Sequence, residues 1–389
     1  MKPTCSLDLS RFYSDSYATA RARFREASGL LQTRIPRAKT RTFEVPSGTE
    51  RDLSVEYLVI PAARKKKNLI VVMSGIHGVE GYTGSAIQLM LLNKFALQLD
   101  CDENGYMLAH SMNPYGFKNV RRSTEGNVNL NRNFAPSPDM FKTENPNYQR
   151  LASALAPSVP VVDPIIDWLK PLARIARLRA FSKMSAPELV QAIAFGQFEF
   201  PEGLEYGGQG LEPQIADLIK HLKEELLDYE NLICFDLHTG IGDRYQMHLI
   251  PGNFSHPQDL QLSSHIFRED ELRSFAAWTP STTEGFYDTV GDSNDFMLNL
   301  AASTGKTAIS VTVEFGTIGN SGWDKLRTLG RLVTENQGYH HGYLTAGAKR
   351  RALASYMDLF APDEPLWRAN TIDRAERLFA TALRRIKEL

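Results

Sequence analysis

Short runs of apolar residues recur along the chain and predict buried β-strands. The clearest run, residues 69–73 (LIVVM), ends at a Ser-Gly pair, and residues 85–97 after it favour a helix. A continuous apolar run of this length is typical of a strand covered on both faces of a mostly parallel sheet. Residues 106–110, 232–235 and 307–313 predict three further strands, and polar residues follow each of them.

Other patterns predict the elements around this sheet. Residues 40–45 and 53–60 are strand-like runs separated by a Pro-Ser-Gly turn, and they predict a hairpin. Residues 13–31 carry aromatic and aliphatic side chains at helical spacing, and the pattern of residues 337–389 is mostly helical. We therefore predict an α/β fold with three layers, α/β/α, around a mixed, mostly parallel and twisted sheet.

Residues 138–230 differ in character from the strands on either side. They contain much of the proline, and they carry four helical patterns, at 148–155, 163–180, 186–195 and 213–227. The strand-like pattern resumes directly after them. We therefore interpret 138–230 as a helical insertion within a single domain spanning residues 1–389.

Composition argues against several classes of partner. Lys and Arg number 44 and Asp and Glu 45, so nothing favours a nucleic acid or an anionic membrane. The three cysteines have no paired spacing, which is typical of free thiols in a reducing compartment. We see neither a secretory signal nor an apolar run of about 18 residues, so we expect a cytoplasmic protein without a membrane partner. The oligomeric state, a homo-oligomer included, stays open.

A histidine and a glutamate follow the central predicted strand in a glycine-rich turn. His77 and Glu80 are three residues apart, at the strand end where open α/β sheets bind ligands. An imidazole nitrogen and a carboxylate oxygen both suit Zn²⁺. His-x-x-Glu pairs also arise by chance, and the alternative interpretation is a polar helix cap.

Two further predicted strands end in residues that would complete a metal site. His238 follows the strand at 232–235, and Glu314 ends the strand at 307–313. Two histidines and one carboxylate are the ligand set of hydrolytic zinc sites that keep a position open for water, and another carboxylate can serve as general base. Asp236 would share a strand face with His238 and either orient its imidazole or form a structural salt bridge. A core histidine is the alternative for His238.

The segment between these strand ends carries three more motifs. They are Asn-Pro-Tyr-Gly at 113–116, Arg-Arg at 121–122, and Asn-Leu-Asn-Arg-Asn-Phe at 129–134. Together with the strand-end residues and the stretch YDTVGDSNDF at 287–296, their order resembles the zinc metallocarboxypeptidase superfamily, which includes the succinylglutamate desuccinylase and aspartoacylase branch. The resemblance covers roughly 69–134 and 231–320 and is closest to a bacterial subgroup of undefined substrate.

The resemblance implies a metal centre with its base. The three residues that would ligate Zn²⁺ are His77, Glu80 and His238. Glu314 would take a proton from the water at the metal and pass it to the leaving amine. Arg122, or its neighbour Arg121, would polarise the scissile carbonyl, since a positioned cationic donor stabilises the oxyanion.

The resemblance also implies residues that hold the substrate. Asn131 and Arg132 would bind a terminal carboxylate, a task that suits the planar guanidinium. Tyr287 would close over the substrate, and Asn294 would line the specificity pocket. Each residue also has a structural interpretation: an arginine beside an asparagine often braces a loop, and Tyr287 could pack on the rim.

Two positions depart from the pattern. Asn129 stands where the superfamily often has aspartate, so a charge is missing from that loop. A neutral side chain at Asn294 argues against a deep apolar or strongly charged pocket.

These observations predict a zinc-dependent hydrolase that cleaves an amide bond next to a free carboxylate, as a carboxypeptidase does. The first alternative is an amidohydrolase of the desuccinylase or aspartoacylase kind, so the expected substrate is a small peptide or an N-acyl amino acid. The second alternative is a pseudoenzyme that binds zinc or a peptide without catalysis. The presence of Glu314 and Arg132 counts against it.

Overall fold

The computed structural model of the protein describes residues 8–163, 184–254, 256–280, 288–319 and 321–389, together with residues 173 and 176. A single sheet of eight strands crosses the described part of the chain, in the order β1-β2-β4-β3-β5-β8-β6-β7. In chain order the strands are β1 (Lys39–Glu44), β2 (Ser54–Ile60), β3 (Asn68–Ser74), β4 (Asn104–His110), β5 (Asn231–Gly240), β6 (Met247–Pro251), β7 (Ala277–Trp278) and β8 (Thr307–Gly316).

The centre of the sheet is parallel and its flanks are mixed. Strands β4, β3, β5 and β8 run parallel to one another, whereas β2 is antiparallel to β4 and β6 is antiparallel to β8. The predicted hairpin is present as the antiparallel pair β1 and β2. The sequence patterns predicted the central strands but not β6 and β7, because a five-residue strand ending in proline and a two-residue strand give little periodic signal.

Helices account for most of the remaining described residues. The α-helices are α1 (Tyr17–Arg34), α2 (Gly81–Lys94), α3 (Pro114–Asn119), α4 (Pro146–Leu155), α5 (Ala186–Ala194), α6 (Pro213–Leu226), α7 (Pro257–Ile266), α8 (Glu269–Leu272), α9 (Ser293–Ser303), α10 (Gly322–His341), α11 (Ala346–Phe360) and α12 (Pro365–Lys387). Short 3₁₀ helices span Leu9–Arg11, Gly78–Glu80, Leu130–Arg132 and Pro138–Lys142. No helix among the described residues combines the length and apolarity needed to cross a membrane.

Helices cover both faces of the sheet and confirm the predicted three-layer fold. Helices α1, α2, α7 and α12 share a hydrophobic core with one face, and α6 and α9 share a core with the other. Strand β3 shows how the sequence supplies both cores. Ile70 and Val72 belong to the first and Leu69 and Val71 to the second, because successive strand side chains point to opposite faces. A strand buried on both sides therefore needs a continuous apolar run.

The segment 138–230 contributes to two packing groups. Helix α6 covers the sheet, whereas α4 and α5 pack with Leu204 and with Val333 of α10 in a smaller core of their own. The helices predicted at 148–155, 186–195 and 213–227 are present as α4, α5 and α6, and the one predicted at 163–180 lies almost entirely outside the described residues. That this segment is an insertion within one domain stays our proposal.

The turn after β3 is held close to α3 and to the loop that follows it. A Cβ atom on Gly78 would lie 2.2 Å from the carbonyl carbon of Gly116, so only glycine fits this approach. The Gly78 and Val79 N–H groups donate to the Arg122 and Arg121 carbonyls at 3.2 and 2.8 Å. The sheet edge that ends β3, β5 and β8 is thereby joined to the loop that carries both arginines.

Candidate metal centre

Three side chains with metal-binding atoms meet at the carboxyl ends of β3 and β5. One ligand atom from each of His77, Glu80 and His238 lies within 4.8 Å of the other two, and no other group of three or more such residues is found among the described residues. The Glu80 carboxylate lies between the imidazoles: Oε1 is 2.9 Å from His77 Nδ1, and Oε2 is 3.0 Å from His238 Nδ1. The two Nδ1 atoms are 3.2 Å apart. Two nitrogens and a carboxylate in this arrangement fit the donor set of a hydrolytic zinc site.

The electrostatics of the three side chains also suit a cation. Burial, with the nearby Arg122 charge, lowers the pKa of His77 to about 4, so this imidazole is neutral at pH 7. Burial opposes the charge on Glu80, yet the two histidines hold its pKa well below the usual range. Burial likewise opposes protonation of His238, but the carboxylates of Asp236 and Glu80 raise its pKa well above 6.5. A metal ion would replace the His238 proton as the partner of Glu80, because ligation requires a neutral imidazole.

Each histidine of the candidate site has a polar neighbour close to its other ring nitrogen. Asp236 Oδ2 lies 2.9 Å from His238 Nε2, and it also accepts a hydrogen bond from Ser293 Oγ at 2.6 Å. The contact between Asp236 and His238 that the strand period predicts is therefore present. Asn129 Oδ1 lies 3.0 Å from His77 Nε2. Such partners fix the tautomer and the ring orientation of metal-ligating histidines.

Glu314 stands beside the three ligand residues on the neighbouring strand. It pairs in register with His238 across β5 and β8, and it is buried. Its Oε1 accepts a hydrogen bond from the Ile241 N–H at 2.9 Å. Burial, together with the Glu80 charge, raises the pKa of Glu314 to about 8. Without a cation nearby this carboxyl group is therefore mostly protonated at pH 7, and a metal ion bound by the neighbouring side chains would favour the ionised form that a general base requires.

The structure distinguishes the two adjacent arginines. Arg121 points away from the ligand residues: its Nε donates to Glu335 at 2.8 Å, and its guanidinium lies 3.2 Å from the centre of the Tyr339 ring. Arg122 forms an ion pair with Glu205, and its charge lowers the pKa of His77. Arg122 is therefore the arginine that faces the candidate site.

Asn131 and Arg132 lie close to the site but already have partners within the chain. Asn131 Oδ1 accepts from the Ser293 N–H at 2.9 Å. Arg132 donates through Nε and Nη2 to the Ala194 carbonyl, at 3.1 and 2.7 Å. These contacts brace the loop against α9 and α5, so binding of a substrate carboxylate here would add to an existing set of hydrogen bonds.

The last two predicted site residues are Asn294 and Tyr287. The amide of Asn294 is directed at β8, where Nδ2 donates to Thr312 Oγ1 at 2.9 Å and Oδ1 accepts from Ser310 Oγ at 2.8 Å. Its polar atoms are thus used in holding α9 on the sheet. Tyr287 lies outside the described residues.

Sequence reasoning missed Glu205, which joins several of these groups. It pairs with Arg122, accepts from Asn129 Nδ2 at 2.6 Å and lies 3.5 Å from Arg132 Nη2. Burial opposes its charge, but Arg122 and Arg132 lower its pKa below the usual value. The one available signal was indirect: Asn129 is neutral where the superfamily that the motifs resemble often has aspartate.

Comparison with solved structures finds metallocarboxypeptidases and a succinylglutamate desuccinylase. Carboxypeptidase A from Helicoverpa armigera is 14% identical, with 90% of this chain and 74% of that chain covered and a TM-score of 0.47. The metallo-carboxypeptidase from Burkholderia cenocepacia is 11% identical, with 81% and 66% covered and a TM-score of 0.42. Succinylglutamate desuccinylase from Chromobacterium violaceum is 14% identical, with 84% and 73% covered and a TM-score of 0.38.

These are the kinds of protein that the ordered motifs resemble. No curated protein matches the chain significantly. One family model does match, over residues 13–374, which is most of the sequence. The chain therefore belongs to the family described as "Protein of unknown function (DUF2817)".

Proposed function

We propose that this protein is a zinc-dependent hydrolase that cleaves an amide bond next to a free carboxylate. The observation that carries the proposal is the convergence of His77, Glu80 and His238 at one sheet edge, with Glu314 opposite His238 in register. Zn²⁺ held by these three residues would supply a Lewis acid and would bring the pKa of a bound water close to neutrality.

Glu314 is the proposed general base. Since its Oε1 is engaged by the Ile241 N–H, Oε2 is the oxygen that takes the proton from the attacking water. The same carboxyl group then gives the proton to the leaving amine nitrogen, so the side chain ends the cycle as it began. Its buried position keeps the transferred proton away from bulk water.

Arg122 is the proposed donor to the scissile carbonyl oxygen. It lies on the ligand side of the loop, and its guanidinium carries a permanent charge. Donors that stabilise a developing oxyanion typically contribute about 10²–10³ in rate. Asn131 and Arg132 are the proposed site for the substrate carboxylate, because a guanidinium can form two parallel bonds to it.

One observation favours the amidohydrolase of N-acyl amino acids as a second candidate. His77, Glu80, His238 and Glu314 are each at most 4% exposed, and a site this enclosed favours a small substrate over a long peptide. The two candidates use the same metal ligands and base, so they differ only in what occupies the pocket.

A panel of paired substrates tests the proposal. The zinc-loaded protein is incubated with dipeptides and with N-acyl amino acids, each as the free acid and as the carboxamide, and released amine is quantified. We expect at least one free acid to be hydrolysed, and its carboxamide far more slowly, because Arg132 would lose the charge that it binds. If protein that holds zinc hydrolyses neither series, the result contradicts the proposed activity and favours the non-catalytic alternative.

A further inference from the structure

Glu205 connects a metal ligand to the proposed oxyanion donor. It lies between α5 and α6, far in sequence from the residues it contacts, and its carboxylate is 8% exposed. One oxygen accepts from Asn129 Nδ2 at 2.6 Å, and the other pairs with Arg122. Asn129 in turn contacts His77. The Glu205 carboxylate is therefore linked to the proposed metal ligand His77 through the Asn129 amide, and it directly contacts the Arg122 guanidinium.

The hydrogen bonds around Asn129 determine which atom donates and which accepts at each contact between Glu205 and His77. Its Oδ1 accepts from the Asn131 N–H at 2.9 Å, and a backbone N–H can only donate. The atom that faces His77 Nε2 at 3.0 Å is that same oxygen, so Nε2 must carry the proton. His77 Nδ1, which faces Glu80, is then left with its lone pair, as a metal ligand requires.

A carboxylate at one end of a series of hydrogen bonds strengthens each hydrogen bond in the series. The negative charge on Glu205 polarises the Asn129 amide, and the polarised amide oxygen is a stronger acceptor for the His77 proton. A more basic imidazole binds a metal more tightly. The negative charge that position 129 lacks is thus supplied by Glu205, from a segment that no sequence motif connects with the site.

The backbone at Glu205 indicates that this placement is maintained against a cost. Its φ is 56°, in the left-handed region, which is unfavourable for a residue with a Cβ. The Gln197 N–H donates to its carbonyl at 3.1 Å and helps to hold this conformation. Strained residues of this kind are found at functional sites more often than elsewhere.

We infer that Glu205 is a positioning residue, which orients and polarises the metal ligand His77 through Asn129 while it fixes Arg122. The inference rests on the proposed function in taking His77 as a ligand. It does not depend on turnover, because its effect is exerted on metal affinity and on the His77 ring.

The first test measures zinc affinity by competition with a chelator. Glu205→Gln keeps the size and an acceptor oxygen but removes the charge, and we expect zinc to bind about 10–100-fold more weakly. The matched control is Glu335→Gln. Glu335 is similarly buried and pairs with the adjacent arginine, Arg121, and within the described part of the chain this ion pair does not involve the proposed ligand residues. We expect it to leave zinc affinity unchanged.

Moving the negative charge from position 205 to position 129 distinguishes a positioning role of Glu205 from a general loss of structure. Asn129→Asp alone places two carboxylates about 2.6 Å apart, so it should weaken zinc binding. Asn129→Asp combined with Glu205→Gln reverses the hydrogen bond and puts the charge directly on His77 Nε2, and we expect it to restore most of the affinity. Equal losses in Glu205→Gln and Glu335→Gln, or no rescue in the double variant, would overturn the inference.

Nitrogen-detected NMR of the metal-free protein gives a readout that needs neither zinc nor substrate. The wild type should show His77 protonated at Nε2, with this proton shifted downfield, and Glu205→Gln should move it upfield. An unchanged resonance would overturn the inference even if zinc binds. Zinc binding without hydrolysis of any substrate would refute the proposed function and leave the role of Glu205 intact.

Discussion

Glu314→Gln is expected to lower kcat by about 10²–10⁴-fold while bound zinc is retained. Glutamine keeps the size of the side chain and can still accept the Ile241 N–H through its amide oxygen. It cannot accept and return a proton. Because Glu314 is not among the three residues whose ligand atoms converge, the metal should stay in place. Kinetics on a hydrolysed substrate, with elemental analysis of the same preparation, measure both effects.

The control for this substitution is Glu335→Gln, which changes a glutamate of similar burial away from the site. It should retain most of the wild-type kcat. If Glu314→Gln loses less than tenfold in kcat, or if it loses zinc and activity together, Glu314 is not the general base that we propose.

His238→Ala is expected to lower the stability of the metal-free protein by about 3 kcal/mol, the cost of breaking a buried ion pair. Its Nδ1 and Nε2 lie 3.0 Å from Glu80 and 2.9 Å from Asp236, and all three residues are buried. Alanine would leave the two carboxylates facing a cavity without a cation between them. Denaturant unfolding, with and without zinc, measures the change in the free energy of unfolding.

Zinc should protect the wild type and not the variant. A bound ion present at 100 times its Kd stabilises the native state by about 2.7 kcal/mol. His238→Ala removes one of the three side chains that we propose to hold the zinc. His110→Ala is the matched control, since His110 is fully buried and bonds Ser85 at 3.0 Å without joining the metal cluster. It should lose stability but keep the protection by zinc. Equal protection of His238→Ala would exclude His238 as a ligand.

The fold was predictable because its central strands are buried on both faces. Runs such as 69–73 must be continuously apolar because their side chains enter two cores. Such a run can be recognised in a single sequence. The convergence of His77, Glu80 and His238 was predictable for a related reason. The carboxyl ends of parallel strands share one edge of the sheet, so polar residues that end separate strands meet in space.

The surroundings of the ligands were less accessible to sequence reasoning. The choice between Arg121 and Arg122 depends on the backbone of an irregular loop, where Val120 has a φ of 57°, and no periodic pattern gives the direction of each side chain. The direction of the Asn294 amide depends on the way α9 packs on β8. Glu205 is 76 residues from Asn129 in sequence, and only the tertiary structure brings the two together.

The central claim is that His77, Glu80 and His238 bind one metal ion, and elemental analysis of the purified protein tests it most directly. Wild type and His77→Ala are each incubated with zinc, freed of excess and analysed. We predict about one zinc per chain in the wild type and a large loss in His77→Ala. A wild type that holds no metal after this treatment, or a His77→Ala variant that holds as much zinc as the wild type, would contradict the assignment.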